Sequence, residues 1–193
     1  MAFADGEPAG GEDRSVIEAV LAGDRERFSE LVERHSAAVF GVISRFLGNP
    51  DDAREVFQET WVRALERLAS LKRPERLRSW LFSIALNQCR SRHRSKSAGP
   101  RLVSLSGRPA DAEDFDPAAT APGPSEVLEA ADDQERLTRA IQTLPPRQRE
   151  VLELRLTGGL NHTEIAAALG IREDNARANL YQAMRQLKAL MQR

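Results

Sequence analysis

Apolar residues return along most of this chain at intervals of three and four, the period of an amphipathic helix. In "RERFSELVERHSAAVFGVISRFL", Phe28, Leu31, Val32, Val39, Val42, Ile43 and Phe46 share one face, and Asp24 ahead of them is the expected N-cap. "GNPDD" ends that helix and starts another, running to about Leu68, with Ala53, Val56, Phe57, Ala64, Leu65 and Leu68 as its buried stripe. The basic connection "ASLKRPER" leads to Pro74, which suits the first turn of a further helix ending near Lys96. In that helix Leu77, Trp80, Leu81, Ile84 and Ala85 point inward. No stretch of useful length alternates with the period of a strand, so the predicted class is all-α.

The helical period is interrupted once. Residues 97–124, "SAGPRLVSLSGRPADAEDFDPAATAPGP", hold five prolines and an acidic centre, and read as a flexible linker. It returns at Ser125 with "SEVLEAADDQERLTRAIQTL", "PPRQREVLELRLT", "GGLNHTEIAAALG" and "IREDNARANLYQAMRQLKALM". The expected organisation is a disordered N-terminus (1–13), a helical domain (14–96), the linker (97–124) and a second helical domain (125–193).

Composition narrows the function classes. Of 193 residues 30% are charged, yet the net charge is only −1, so any basic surface must be local. Cys89 is the single cysteine, which excludes an intrachain disulfide and a thiol-rich metal site and fits a reducing cytoplasm. The acidic, Gly/Pro-rich start is not a signal peptide, and no apolar run approaches a membrane span. The three histidines do not cluster in sequence, so no metal site is assigned. No nucleotide loop or nucleophile motif is present, so neither a cofactor nor catalytic residues are expected.

Three polar faces carry candidate chemistry. The first is on the final helix pair. Asn161 and Glu164 have the spacing of a capping box, Gly170 stands where a helix end needs positive φ, and Ile165, Ala166, Ala168 and Leu169 permit close helix contact. This is the helix-turn-helix pattern. The last helix would bury Ala176, Leu180, Ala183, Met184 and Leu187 and show Asn175, Arg177, Asn179, Gln182 and Arg185, residue types that bridge guanine and adenine edges in the major groove. An ordinary helical hairpin with a solvated face fits this segment too. The second face holds Asp52, Glu55, Gln58 and Glu59, an acidic patch suited to a basic partner or simply to water. The third holds Ser79, Ser83, Asn87, Arg90 and Arg94, next to Lys72, Arg73 and Arg76. Its hydroxyl and amide groups give way to arginines, an order suited to a nucleic-acid strand. A basic helix end complementing the helix dipole would look the same.

Taken together, "AGDRERFSELVERHSAAVFGVISRFLGNPDDAREVFQETWVRAL", "RSWLFSIALNQCRSRHR" and "LPPRQREVLELRLTGGLNHTEIAAALGIREDNARANLYQAMRQLK" resemble the extracytoplasmic-function group of sigma factors of bacterial RNA polymerase, from about residue 14 to 190. The resemblance implies two small helical domains, sigma domains 2 and 4. It implies that Asp52, Glu55, Gln58 and Glu59 dock on the clamp helices of the beta-prime subunit. It assigns minus-ten recognition and melting to Arg63, Leu71, Lys72, Arg73, Arg76, Ser79, Ser83, Asn87, Arg90 and Arg94. It assigns the minus-thirty-five element to Arg172, Asp174, Asn175, Arg177, Ala178, Asn179, Tyr181, Gln182 and Arg185. Implied partners are core RNA polymerase, including the beta flap, promoter DNA and an anti-sigma factor, without membrane insertion. The chain departs from the family where Leu71 and His35 replace frequent aromatics and where "REDN" replaces a usual Ser-Gly start of the last helix. The competing readings are a polymerase-independent helix-turn-helix regulator and a helical protein adaptor.

Overall fold

The computed structural model describes residues 10–97 and 136–192, and every regular element among them is helical. The expected linker beyond residue 97 and the start of the helix expected from Ser125 lie outside the described residues. The first group of elements is α1 (Gly10–Leu21), α2 (Phe28–Leu47), α3 (Pro50–Arg67) and α4 (Leu77–Ser97). The second is α5 (136–143), α6 (Pro146–Leu156), α7 (His162–Leu169) and α8 (Glu173–Met191). No described helix is long and apolar enough to cross a membrane.

Short-range signals account for most boundaries. α2 ends at Gly48, whose φ of 66° is open to glycine at little cost. Asn49 then caps α3 by accepting from the amides of Asp51 and Asp52, with Pro50 at the first helical position. Asn161 and Glu164 form the complete capping box of α7, and Gly170 closes that helix at φ 64°. The turn at Leu68–Ser70 and the turn at Pro74–Arg76 are 3-10 segments on either side of the basic connection.

Three expectations are corrected. Asp24 makes no side-chain cap, because its ψ of 76° is not the extended N-cap geometry; Arg25–Arg27 form a 3-10 turn and α2 starts only at Phe28. Residues 10–13, expected outside the folded part, form the first turn of α1. Buried Asp13 anchors that turn: it accepts from Arg34 Nη1 at 2.7 Å and lies 2.9 Å from Nε2 of buried His35. Buried His35 thus has a polar partner of its own. Met184 and Leu65, expected in the core, are exposed. Trp80 is half-buried and packs against the core, in keeping with its inward placement.

The core is continuous across the two domains. One cluster runs from Val16 and Ile17 through Val42, Ile43, Leu81, Phe82 and Leu86 to Val151, Leu154, Leu160, Ile165 and Ala176. A smaller one joins Ala140, Ile141 and Leu144 to Leu152, Ala183 and Leu187. The centre is α4, which α2 and α3 cover on one side and α7 covers on another. Polar ties among the described residues also cross this boundary. Arg78 Nη2 donates to the Gly158 carbonyl at 2.7 Å, Arg90 pairs with Glu150 at 3.1 Å, and Arg45 pairs with Glu153 at 3.5 Å.

Candidate nucleic-acid interface

The loop between α3 and α4 and the first two turns of α4 line an open pocket of about 410 Å³, formed by Ser70, Leu71, Lys72, Arg73, Arg76, Ser79, Trp80 and Ser83, with Ala167 of α7 as the remaining wall. Lys72, Arg73 and Arg76 are exposed and have no ion-pair partner among the described residues, so their charge is available to a phosphate. Leu71 is buried and gives the pocket an apolar side. Ser79 and Ser83 donate their hydroxyl hydrogens to the carbonyls of Arg76 and Trp80, three residues back, and Ser79 is buried. They offer acceptor lone pairs rather than free donors.

Further along α4 the expected strand-binding face divides. Asn87 is exposed, and its Oδ1 accepts weakly from Arg90 Nη1 at 3.4 Å. Arg94 is exposed. Arg90 is held by Glu150 of α6, so in this arrangement it serves the domain contact. Arg63 pairs with Glu59 one turn earlier on α3, at 2.6 Å, which joins a residue expected at DNA to one expected at the polymerase.

The acidic quartet on α3 also divides, which corrects the idea of one uniform docking face. Asp52 is buried and accepts from Arg92 Nε of α4 at 2.9 Å, and Glu55 pairs with the same guanidinium. Asp52 therefore braces α3 on α4 and cannot meet a partner directly. Glu55, Gln58 and Glu59 remain exposed. Phe40 and Val62 of α2 and α3 are exposed apolar residues that sequence periodicity did not single out.

On the helix-turn-helix, Arg172, Asp174, Asn175, Arg177, Ala178, Tyr181 and Arg185 are exposed, and Asn179 and Gln182 are half-buried. Tyr181 is the most exposed large hydrophobic residue among the described residues, at 66%. Asn179 Nδ2 donates to the Asn175 carbonyl at 2.7 Å. Glu173 accepts from both Thr163 and Arg177, and these two bonds hold its carboxyl below the usual range. Cys89 is buried, and burial pushes its thiol up to about 12, which disfavours the thiolate. No group of His, Cys, Asp and Glu among the described residues could hold a metal ion.

Two family models match the chain: Sigma-70 region 2 over residues 31–99 and Sigma-70, region 4 over residues 134–187. The chain is 28% identical over 181 residues to RNA polymerase sigma factor NccH of Alcaligenes xylosoxydans xylosoxydans, covering 93% of this chain and 95% of that protein. It is 26% identical over 174 residues to the ECF RNA polymerase sigma-E factor of Escherichia coli K12, covering 89% and 90%. Its fold matches CnrH, solved in complex with the cytosolic domain of CnrY, with a TM-score of 0.67 at 26% identity, covering 93% of this chain and 97% of that one. The chain belongs to the sigma-70 family, in its extracytoplasmic-function group. It is an RNA polymerase sigma factor, a promoter-recognising subunit of a family whose members are non-catalytic initiation factors.

Proposed function

We propose a division of labour among these surfaces. Domain 2 (residues 14–96) docks on the beta-prime clamp helices through Glu55, Gln58 and Glu59. The loop at Leu71–Arg76 and the first turns of α4 receive the minus-ten element, Asn87 and Arg94 follow the strand, and α8 of domain 4 (residues 125–193) reads the minus-thirty-five element. Residues 97–124 connect the two. The pocket carries this reading. It joins an apolar floor at Leu71 to three cations without ion-pair partners among the described residues, which suits one base leaving the duplex and the phosphates beside it. The unpairing cost, a few kcal/mol per extruded base, is then offset by contacts inside the pocket rather than by nucleotide hydrolysis.

Two modest DNA readers on one chain gain affinity when the polymerase fixes their separation, so weak DNA binding by the free protein is expected. Promoter engagement also requires domain 4 to leave α4, since Ala167 walls the pocket and Glu150 occupies Arg90. The protein works in the cytoplasm, without catalysis of its own. An anti-sigma factor fits the same reading, and the CnrH complex with the cytosolic domain of CnrY supports a protein partner of this kind.

The test is co-elution with bacterial core RNA polymerase, followed by open-complex assays on a mapped promoter. Gln58→Ala with Glu59→Ala should weaken core binding and leave the thermal melt unchanged. Asn87→Ala should lower open-complex formation more than core binding. Normal polymerase affinity of the folded double variant would reject the docking face, and equal loss of both activities in the Asn87 variant would make that residue structural.

A further inference from the structure

We infer that Glu173 determines specificity at the minus-thirty-five element without touching DNA, by holding Arg177 in one orientation on the reading face of α8. The inference rests on the assignment of α8 to that element. Glu173 is the first residue of α8. Its Oε2 accepts from Thr163 Oγ1 of α7 at 2.9 Å, and its Oε1 accepts from Arg177 Nη2 at 2.5 Å. A single carboxylate therefore ties the two helices of the motif to each other and to a guanidinium one turn along α8.

Each oxygen of Glu173 already has a donor, and these two bonds fix the direction of its carboxylate along the Thr163–Arg177 line. Asp174, the next residue, is exposed and has no partner among the described residues. The two acids of "REDN" therefore have different roles. Arg177 gives one N–H to Glu173 and keeps others for a guanine edge. Because its fork is already oriented, less side-chain freedom is lost when it meets a base. The pair also cancels charge. Glu173 thus lowers indiscriminate attraction to phosphate while sharpening the base contact, a combination that a simple helix-end acid does not produce.

The experiment is selection of upstream promoter sequences from a randomised library by reconstituted holoenzyme, with salt-dependent promoter affinity measured in parallel. The proteins are wild type, Glu173→Gln, Arg177→Ala, their double variant and Asp174→Asn. Arg177→Ala should lose roughly five- to hundredfold discrimination at one base pair. Glu173→Gln should lose about three- to tenfold at that same base pair, bind non-cognate DNA at least as tightly as wild type, and add nothing in the Arg177→Ala background. Asp174→Asn should leave that position unchanged. An equal Glu173→Gln effect with Arg177 absent, or the same pattern from Asp174→Asn, would reduce Glu173 to a helix-end charge and overturn the inference. Absence of upstream selection by wild type, or an Arg177→Ala variant with wild-type preference, would instead overturn the assignment of α8, and the inference with it.

Discussion

Gly41→Ala is the substitution that most directly tests the packed domain arrangement. Gly41 lies in the middle of α2 and faces the end of α6, where a Cβ at this position would stand 2.7 Å from Thr157 Cγ2. Carbon atoms in good contact sit about 3.5–4.0 Å apart, so the approach is about 1 Å too close. Thr157 cannot rotate away freely, because its hydroxyl donates to Glu153 Oε2 at 3.2 Å. Within domain 2 alone the change is favourable, since alanine in a helix interior gains about 0.5–1 kcal/mol over glycine. Across the boundary, overpacking of this kind costs about 1–3 kcal/mol. The ratio of packed to separated domains should therefore fall roughly five- to 150-fold, while α2 itself becomes more stable. Hydrogen exchange at Ile165–Leu169, read with the radius of gyration from solution scattering, follows the two effects separately. Faster exchange in α7, a larger radius and unimpaired protection in α2 are expected. Unchanged α7 protection and radius, with a higher melting temperature, would mean that α2 and α6 do not hold the domains together.

The same boundary should respond to pH. Burial raises the Glu153 carboxyl from 4.5, against the opposing pull of Arg45, Thr157 and Arg149. The folded state therefore holds the proton more tightly than the unfolded chain, and this contribution to stability is full below about 4.5 and lost as pH rises through the raised value. Glu153→Gln should flatten the melting temperature against pH in that window and be more stable than wild type at pH 7; lower stability there would mean that Arg45 outweighs the burial penalty. Asp13→Ala removes the acceptor of buried His35 and of Arg34, and should cost about 1–3 kcal/mol in denaturant titrations. A change below about 0.5 kcal/mol would show that α1 is not anchored through this group.

Features that depend on a few neighbouring residues were legible in the chain. Gly48-Asn49-Pro50 closes one helix and caps the next, and Asn161, Glu164 and Gly170 bound α7, because capping and positive φ are local demands on the backbone. The resemblance to sigma factors was likewise carried by motifs in order. Features that depend on which surfaces meet were not legible. Period alone gave α4 one inner face, whereas Phe82 and Leu86 are also buried, in the core cluster that α4 shares with the second domain. Asp52 looked equivalent to Glu55 by spacing until Arg92 of α4 covered it, and Arg90 looked free until Glu150 reached it. Helical spacing states which side chains share a side. Only the tertiary packing decides which side is covered, because that depends on long-range apolar burial and on the ion pairs that burial brings within reach.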